Sequence, residues 1–230
     1  MDNAVVQIAA DMLPIEGGSI LLGAAPGDRE PFNEAAAEHL STVSAFQLCR
    51  YPVTQAQWLA IMGDNLSRFR GGECPVENVS WDDAQAFIAR LNAFTGKSYR
   101  LPTEAEWEFA ARGGNLSKGY TYAGSNVLDE VGWYEENSNM KTHPVGRKQA
   151  NELGLYDMSG NVCEWCAVGE AERLPQSDAP ADLASDALVR ILRGGSWLDT
   201  AGRCTVAFSY SVLPDYRRFC NGFRLAHPVL

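Results

Sequence analysis

Apolar residues recur at three- and four-residue steps in two stretches of the chain. After Thr54, an N-cap residue, Trp58, Leu59 and Met62 share one face and Gly63 stops the run, which predicts a helix over about 54–62. Ser80-Trp-Asp-Asp83 has the capping-box spacing with Asp in the Glu position. Ala84, Phe87, Ile88 and Leu91 follow at helical steps up to Gly96, predicting a second helix over about 81–94. Thr103-Glu-Ala-Glu106 repeats the box before Trp107, Phe109 and Ala110, so a third and shorter helix should end at Gly113-Gly114. The remainder reads as short strands and loops. Six Trp, 21 Gly and 11 Pro are spread through the sequence, the mark of a loop-rich fold pinned by buried aromatics. Residues 167–187, rich in Ala, Asp and Pro with little apolar period, read as a surface excursion between core elements. There is no internal repeat.

With 230 residues, 46% hydrophobic and 21% charged, the chain is long enough for one globular domain over 1–230 with a sizeable core. A formal charge of -10 argues against nucleic acid or an anionic membrane as partner, because both call for clustered Lys and Arg. No run is long and apolar enough to span a bilayer, and MDNAVVQIAADMLP lacks the basic start and apolar stretch of an export signal. A cytoplasmic or phage-associated protein is the expectation. Six cysteines are too sparse for a disulfide scaffold. Cys163-Glu-Trp-Cys166 has a redox or zinc spacing, but without a second such pair or a His cluster zinc is not expected, and Cys163 reads as a small buried hydrophobe.

A series of phrases then carries more specific information. In order they are Ile15-Glu-Gly-Gly18, Tyr51-Pro-Val-Thr54, Pro75-Val-Glu-Asn-Val-Ser-Trp81, Arg100-Leu-Pro-Thr-Glu-Ala-Glu-Trp-Glu-Phe-Ala-Ala-Arg112 and His143-Pro-Val-Gly146. They continue with Gly154-Leu-Tyr-Asp-Met-Ser-Gly-Asn-Val-Cys-Glu-Trp165, Arg193-Gly-Gly-Ser-Trp197 and Gly222-Phe-Arg-Leu225. Over roughly residues 14–226 the chain resembles the formylglycine-generating enzyme-like, or sulfatase-modifying factor, family. The resemblance implies an α+β, C-type lectin-like fold of the formylglycine-generating enzyme type, loop-rich, with two main helices on small antiparallel sheets and a final strand near Gly222–Ala226. It does not settle function, since the family mixes copper oxidases, iron enzymes and inactive binding proteins.

The family's oxidase carries two cysteines, three and eight positions past the Ser of Arg-Gly-Gly-Ser, whose thiolates hold Cu(I). The matching positions here are Asp199 and Cys204. A carboxylate is a hard donor that suits Cu(I) poorly, so neither copper nor oxidase activity is expected. The iron enzymes' His set is likewise not supplied by the scattered His39, His143 and His227. The resemblance also implies a structural Ca²⁺ held by Asp157, Gly160, Val162 and Glu164, two carboxylates and two carbonyls around a tight turn. The alternative is that Asp157 and Glu164 cap turns and pair with Arg.

The segment from Leu198 to Asn221 differs in character. Its 24 residues lack Lys, Glu, Gln, Met and Trp altogether. Given those types' share of the chain, a random stretch would do so with a chance of about 0.01. Codons ending in a pyrimidine cannot encode these five residues. The segment therefore resembles the variable region of diversity-generating retroelement proteins, in which Asn codons mutagenised at adenine can become any residue except these five. Such regions lie at the C-terminus of a lectin-type fold between Arg-Gly-Gly-Ser-Trp and Gly-Phe-Arg-Leu phrases. The resemblance implies a hypervariable surface over about 198–221 that binds a protein or other macromolecule, with Leu198, Asp199, Thr200, Arg203, Phe208, Tyr210, Ser211, Val212, Leu213, Tyr216, Arg218 and Phe219 as the exposed set. Ala201, Cys204, Ala207 and Pro214 read as fixed packing or turn positions. The alternatives are that the aromatics fill the sheet's core, as in an unassigned inactive member, or that the chain is a formylglycine-generating-type catalyst acting on cysteine-containing peptides.

Overall fold

The computed structural model describes residues 3–23, 38–167 and 189–229. From 168 onward, the stretch read as a surface excursion lies outside the described residues. Helix α1 (Asn3–Ala10) opens the chain, followed by strands β1 (Met12–Ile15), β2 (Gly18–Leu22), β3 (His39–Val43) and β4 (Phe46–Cys49). Helices α2 (Gln55–Met62), α3 (Trp81–Thr95), α4 (Glu104–Ala111) and α5 (Leu128–Val131) come next. Strands β5 (Cys163–Trp165), β6 (Arg190–Arg193), β7 (Ser209–Val212), β8 (Asn221–Gly222) and β9 (Ala226–Pro228) complete the described elements.

The three helices read from sequence form where their caps place them. Thr54, Ser80 and Thr103 each accept a hydrogen bond from the backbone N–H three residues on, while Gln57, Asp83 and Glu106 reach back to the cap backbone. Each reciprocal cap satisfies donors that the first turn leaves open, and losing the cap side chain costs about 1 kcal/mol. Gly63 and Gly96 end α2 and α3 in the left-handed conformation, as the sequence indicates. Helix α1 was not anticipated. Val5 and Ile8, one turn apart, are buried in the same cluster as Trp58, so the helix packs its apolar face on the core.

Strands β1, β4 and β9 form an antiparallel sheet with β4 in the centre, and β2 pairs with β3 as a separate antiparallel ribbon. The four-stranded sheet runs β7-β6-β5-β8. The sheets are small and antiparallel as expected apart from one pairing, and it is the single final strand near Gly222–Ala226 that needs correcting. Asn221 and Gly222 pair in parallel with Cys163 and Glu164, and the chain then crosses to lie as β9 beside β4. Gly222 permits the crossing, since a Cβ there would sit 2.5 Å from the Val76 carbonyl.

The core divides around β5. Trp58 stacks on Phe87 at 5.4 Å between ring centroids, with Phe223 edge-on to both, and Cys163 and Trp165 close this cluster. Trp107, Phe109, Phe46 and Cys166 build the second. Cys163 and Cys166 therefore enter different clusters as buried, unbridged thiols, in keeping with a packing role.

Candidate ligand-binding surface

The two phrases that frame residues 198–221 each supply a buried arginine. Arg193, at the end of β6, donates to Glu108 Oε2 at 2.6 Å and to Glu104 Oε1 at 3.1 Å, both on α4. It also donates to the carbonyls of Val206 and Ala207, inside the segment itself. Burial raises the Glu108 carboxyl, but Arg193 and Arg112 outweigh it and hold the group below its ordinary range. Beyond the segment, Arg224 grips Glu164 on β5 with a two-pronged contact, Nε to Oε2 at 2.6 Å and a terminal nitrogen to Oε1 at 2.7 Å. Arg224 also donates to the carbonyls of Cys49 and Tyr156. The Trp107 indole gives Glu164 Oε2 a further bond at 2.7 Å. Both ends of the segment are thus fixed to the core by charge pairs shielded from water.

Trp197 closes the base between them. Its backbone N–H donates to Asn161, its carbonyl accepts from Ser138, and its indole donates to the carbonyl of Phe219 at 3.0 Å. Gly195, just before it, turns at φ +65°, where a Cβ would meet the Arg203 carbonyl at 2.6 Å. A single turn of tight helix over Ala201–Cys204 follows, with Cys204 fully buried. The chain then runs as β7 beside β6. Its outer stretch is tied down by backbone bonds from Trp81 to Pro214 and from Asn78 to Arg218, at 2.9 and 3.0 Å. Arg217, outside the expected set, clamps Asp83 at the start of α3 with bonds of 2.6 and 2.8 Å.

The expected surface residues fall into three groups. Leu213 (50% exposed), Tyr216 (37%), Arg218 and Thr200 face solvent. Leu198, Asp199, Arg203, Tyr210, Ser211, Val212 and Phe219 are half-buried. Tyr210 and Val212 pack on the first core cluster, and burial followed by the neighbouring Cys163 and Cys220 raises the Tyr210 phenol well above its ordinary range. Phe208 is corrected outright. At 2% exposure it lies inside, its ring 6.0 Å from that of Tyr210, because a segment this long must bury apolar side chains of its own to offset the entropy of fixing its backbone. Of the positions read as fixed, Cys204 is buried, while Ala201, Ala207 and Pro214 are half-buried.

The surface continues onto residues that sequence reasoning missed. The Phe69 ring meets Trp197 edge-on at 5.2 Å, and Phe219 stacks near Trp197 at 6.1 Å. Arg68 lies over Phe219 at 4.8 Å and near Phe69 at 5.6 Å. Beneath them Glu77 is fully buried and accepts the Phe69 N–H at 2.8 Å. Burial pushes its carboxyl up to about 7 against the opposing backbone bonds. Nothing in the spacing of Ser67-Arg-Phe-Arg70 signals contact with a segment some 150 positions later.

The copper and calcium positions fare differently from the oxidase pattern. Asp199 accepts the Ser196 hydroxyl, pairs with Arg203 at 3.6 Å and takes the Cys163 thiol at 3.7 Å. The calcium set is committed elsewhere. Glu164 is held by Arg224 and Trp107, while Asp157 accepts the Gly146 N–H at 2.8 Å and the Asn161 amide at 3.1 Å. Burial pushes the Asp157 carboxyl up to about 6 despite those bonds. A cation at Asp157, Gly160, Val162 and Glu164 would have to displace a buried guanidinium, so as arranged these residues do not fit one. Among the described residues no group of three or more His, Cys, Asp and Glu side chains gathers as a metal cluster, and no helix is long and apolar enough to cross a membrane. A polar cleft of about 550 Å³, lined among others by Lys118, Tyr120, Glu130 and Glu152, involves none of the segment's residues.

Comparison with known proteins places this geometry. Residues 1–229 match the sulfatase-modifying factor enzyme 1-like domain. A chaperone protein, LppX, of Paenibacillus barcinonensis is 33% identical over 87% of this chain and 83% of its own. The formylglycine-generating enzyme of Streptomyces coelicolor is 31% identical over 87% of this chain and 70% of its own. The solved structure of Treponema denticola variable protein 1 superposes with a TM-score of 0.79 at 33% identity, covering 95% of each chain.

Proposed function

The chain belongs to the sulfatase-modifying factor enzyme 1-like family, and from that premise we propose that it is a ligand-binding member whose C-terminal segment is a hypervariable surface diversified by a retroelement. The observation that carries this reading is the division of labour within residues 198–221. Backbone and ends are pinned by Arg193, Arg224, Trp197 and Arg217, while Thr200, Leu213, Tyr216 and Arg218 point outward. A rigid base with exposed aromatic, aliphatic and charged side chains supplies contact area at low ordering cost, which is what a binding surface needs. The similarity to a variable protein of Treponema denticola supports the same reading. The ligand is a protein or other macromolecule.

We read the protein as no copper oxidase. Asp199 stands where the first thiolate of that pattern would be, and its carboxylate is already engaged by Ser196 and Arg203.

Replacing Leu213, Tyr216 and Arg218 together by Ser, Asp and Gly tests the design. Exposed side chains usually contribute less than about 0.5 kcal/mol each, so the summed loss should stay below about 1.5 kcal/mol, or roughly 3–6 °C in Tm by differential scanning calorimetry. A loss of the size that follows core truncation would mean that these residues hold the fold together and are not free to vary.

A further inference from the structure

We infer that Arg68 and Arg218, set against Phe219 and flanked by Leu213 and Tyr216, form a carboxylate-binding patch for an acidic segment of a protein partner. The inference rests on the ligand-binding reading and names the chemistry of the ligand. Arg68 lies outside the variable segment, so it is part of the fixed scaffold, yet its guanidinium covers the Phe219 ring at 4.8 Å. Arg218 adjoins Phe219 in the chain and is exposed. Arg70, also exposed, spends one nitrogen on the Asn65 carbonyl.

The arginines of this region divide sharply by their partners. Arg203 pairs with Asp199 and Arg217 with Asp83, whereas none of the ion pairs among the described residues includes Arg68, Arg70 or Arg218. Glu77, buried on the supporting side, gives its Oε1 to the Phe69 backbone and feels the charges of Arg70 and Arg68 without forming an ion pair with either. Arg68, Arg70 and Arg218 are thus exposed arginines outside every ion pair among the described residues, in a chain whose formal charge is -10. A guanidinium held flat against an aromatic ring keeps its edge donors free and loses little freedom when a carboxylate arrives.

Charge alone would also attract a polyanion such as a nucleic acid or a sulfated polysaccharide. At physiological salt, fields are screened over about 8 Å, so a short acidic segment feels the local arginines rather than the whole molecule. A long polyanion would extend onto the acidic remainder of the surface and be repelled. Tyr216, close to Arg218, and Leu213, whose carbonyl accepts the Tyr216 N–H, are both exposed and offer apolar contact that a polypeptide side chain can fill and a uniformly charged chain cannot.

The test uses the full chain, a display library of random short peptides, and heparin as the polyanion. Selected peptides should carry Asp or Glu beside apolar residues, and their binding should weaken as salt rises. Arg68→Gln and Arg218→Gln should each weaken binding by roughly tenfold, as expected of an anchoring arginine, with Tm unchanged and Arg68→Lys intermediate. Peptides that are neutral or basic, lost with Leu213→Ser or Tyr216→Ser but indifferent to Arg68→Gln and Arg218→Gln, would overturn this inference and leave the binding surface standing. Retention on heparin with no peptide selected would overturn it in favour of a polyanion. Peptides indifferent to all four substitutions would overturn the binding surface itself.

Discussion

Arg224→Met should lower the stability of the protein by about 3–5 kcal/mol, or prevent folding, because it leaves Glu164 charged, buried and without its partner. At 2–4 °C per kcal/mol for a chain of this size, thermal denaturation followed by circular dichroism should register roughly 6–20 °C. Glu164→Gln in the same chain should recover part of the loss, since the uncompensated charge goes and the Trp107 indole keeps an oxygen to donate to. A change of only a degree or two in the single variant would mean that the pair is not shielded from water. The bond bears on the proposed surface because Arg224 fixes the chain just after residues 198–221 to the centre of the four-stranded sheet.

Trp197→Ala is the second large effect expected. The side chain is 3% exposed and meets Phe69 and Phe219, so its removal opens a cavity and should cost about 3–5 kcal/mol. It also strips the Phe219 carbonyl of its indole donor, and with it the seat of the Arg68 stack. Trp197→Phe keeps much of the apolar contact but loses the hydrogen bond, and should fall between Ala and wild type. Urea denaturation of the three proteins ranks them. Equal stability of all three would show that Trp197 does not hold the base of the segment.

The contrast between these positions and the exposed ones also explains what could be read in advance. Capping boxes at Thr54, Ser80 and Thr103 are local, since every partner lies three residues away, and those helices were legible to within a residue or two. Helix α1 is eight residues long and buries two apolar side chains, Val5 and Ile8, so its place depends on the Trp58 cluster that the fold assembles around it. The segment from Leu198 to Asn221 stands out by composition, which does not say which way each residue points. Phe208 and Tyr216 are both aromatic, and only the closing of the chain by Arg193 and Arg224 puts one inside and the other out. Arg68 and Phe69 were silent for the same reason, because their contacts span the whole distance to Phe219. The calcium set shows what spacing leaves out. Asp157 and Glu164 have a plausible spacing for a cation, but the groups that occupy their oxygens, Asn161, the Gly146 N–H, Trp107 and Arg224, become visible only in three dimensions.

Diversification of the surface is tested most directly by sequencing the DNA that flanks the gene. If the segment is a retroelement's target, a near-copy of the stretch encoding residues 197–225 should lie nearby, beside a reverse transcriptase gene. The two copies should differ mainly where the template carries adenine, and the differences should concentrate at the codons for exposed residues such as Leu213, Tyr216 and Arg218 while sparing those for Arg193 and Arg224. Flanking DNA with no such copy and no reverse transcriptase, or a copy whose differences fall evenly across buried and exposed codons, would contradict it.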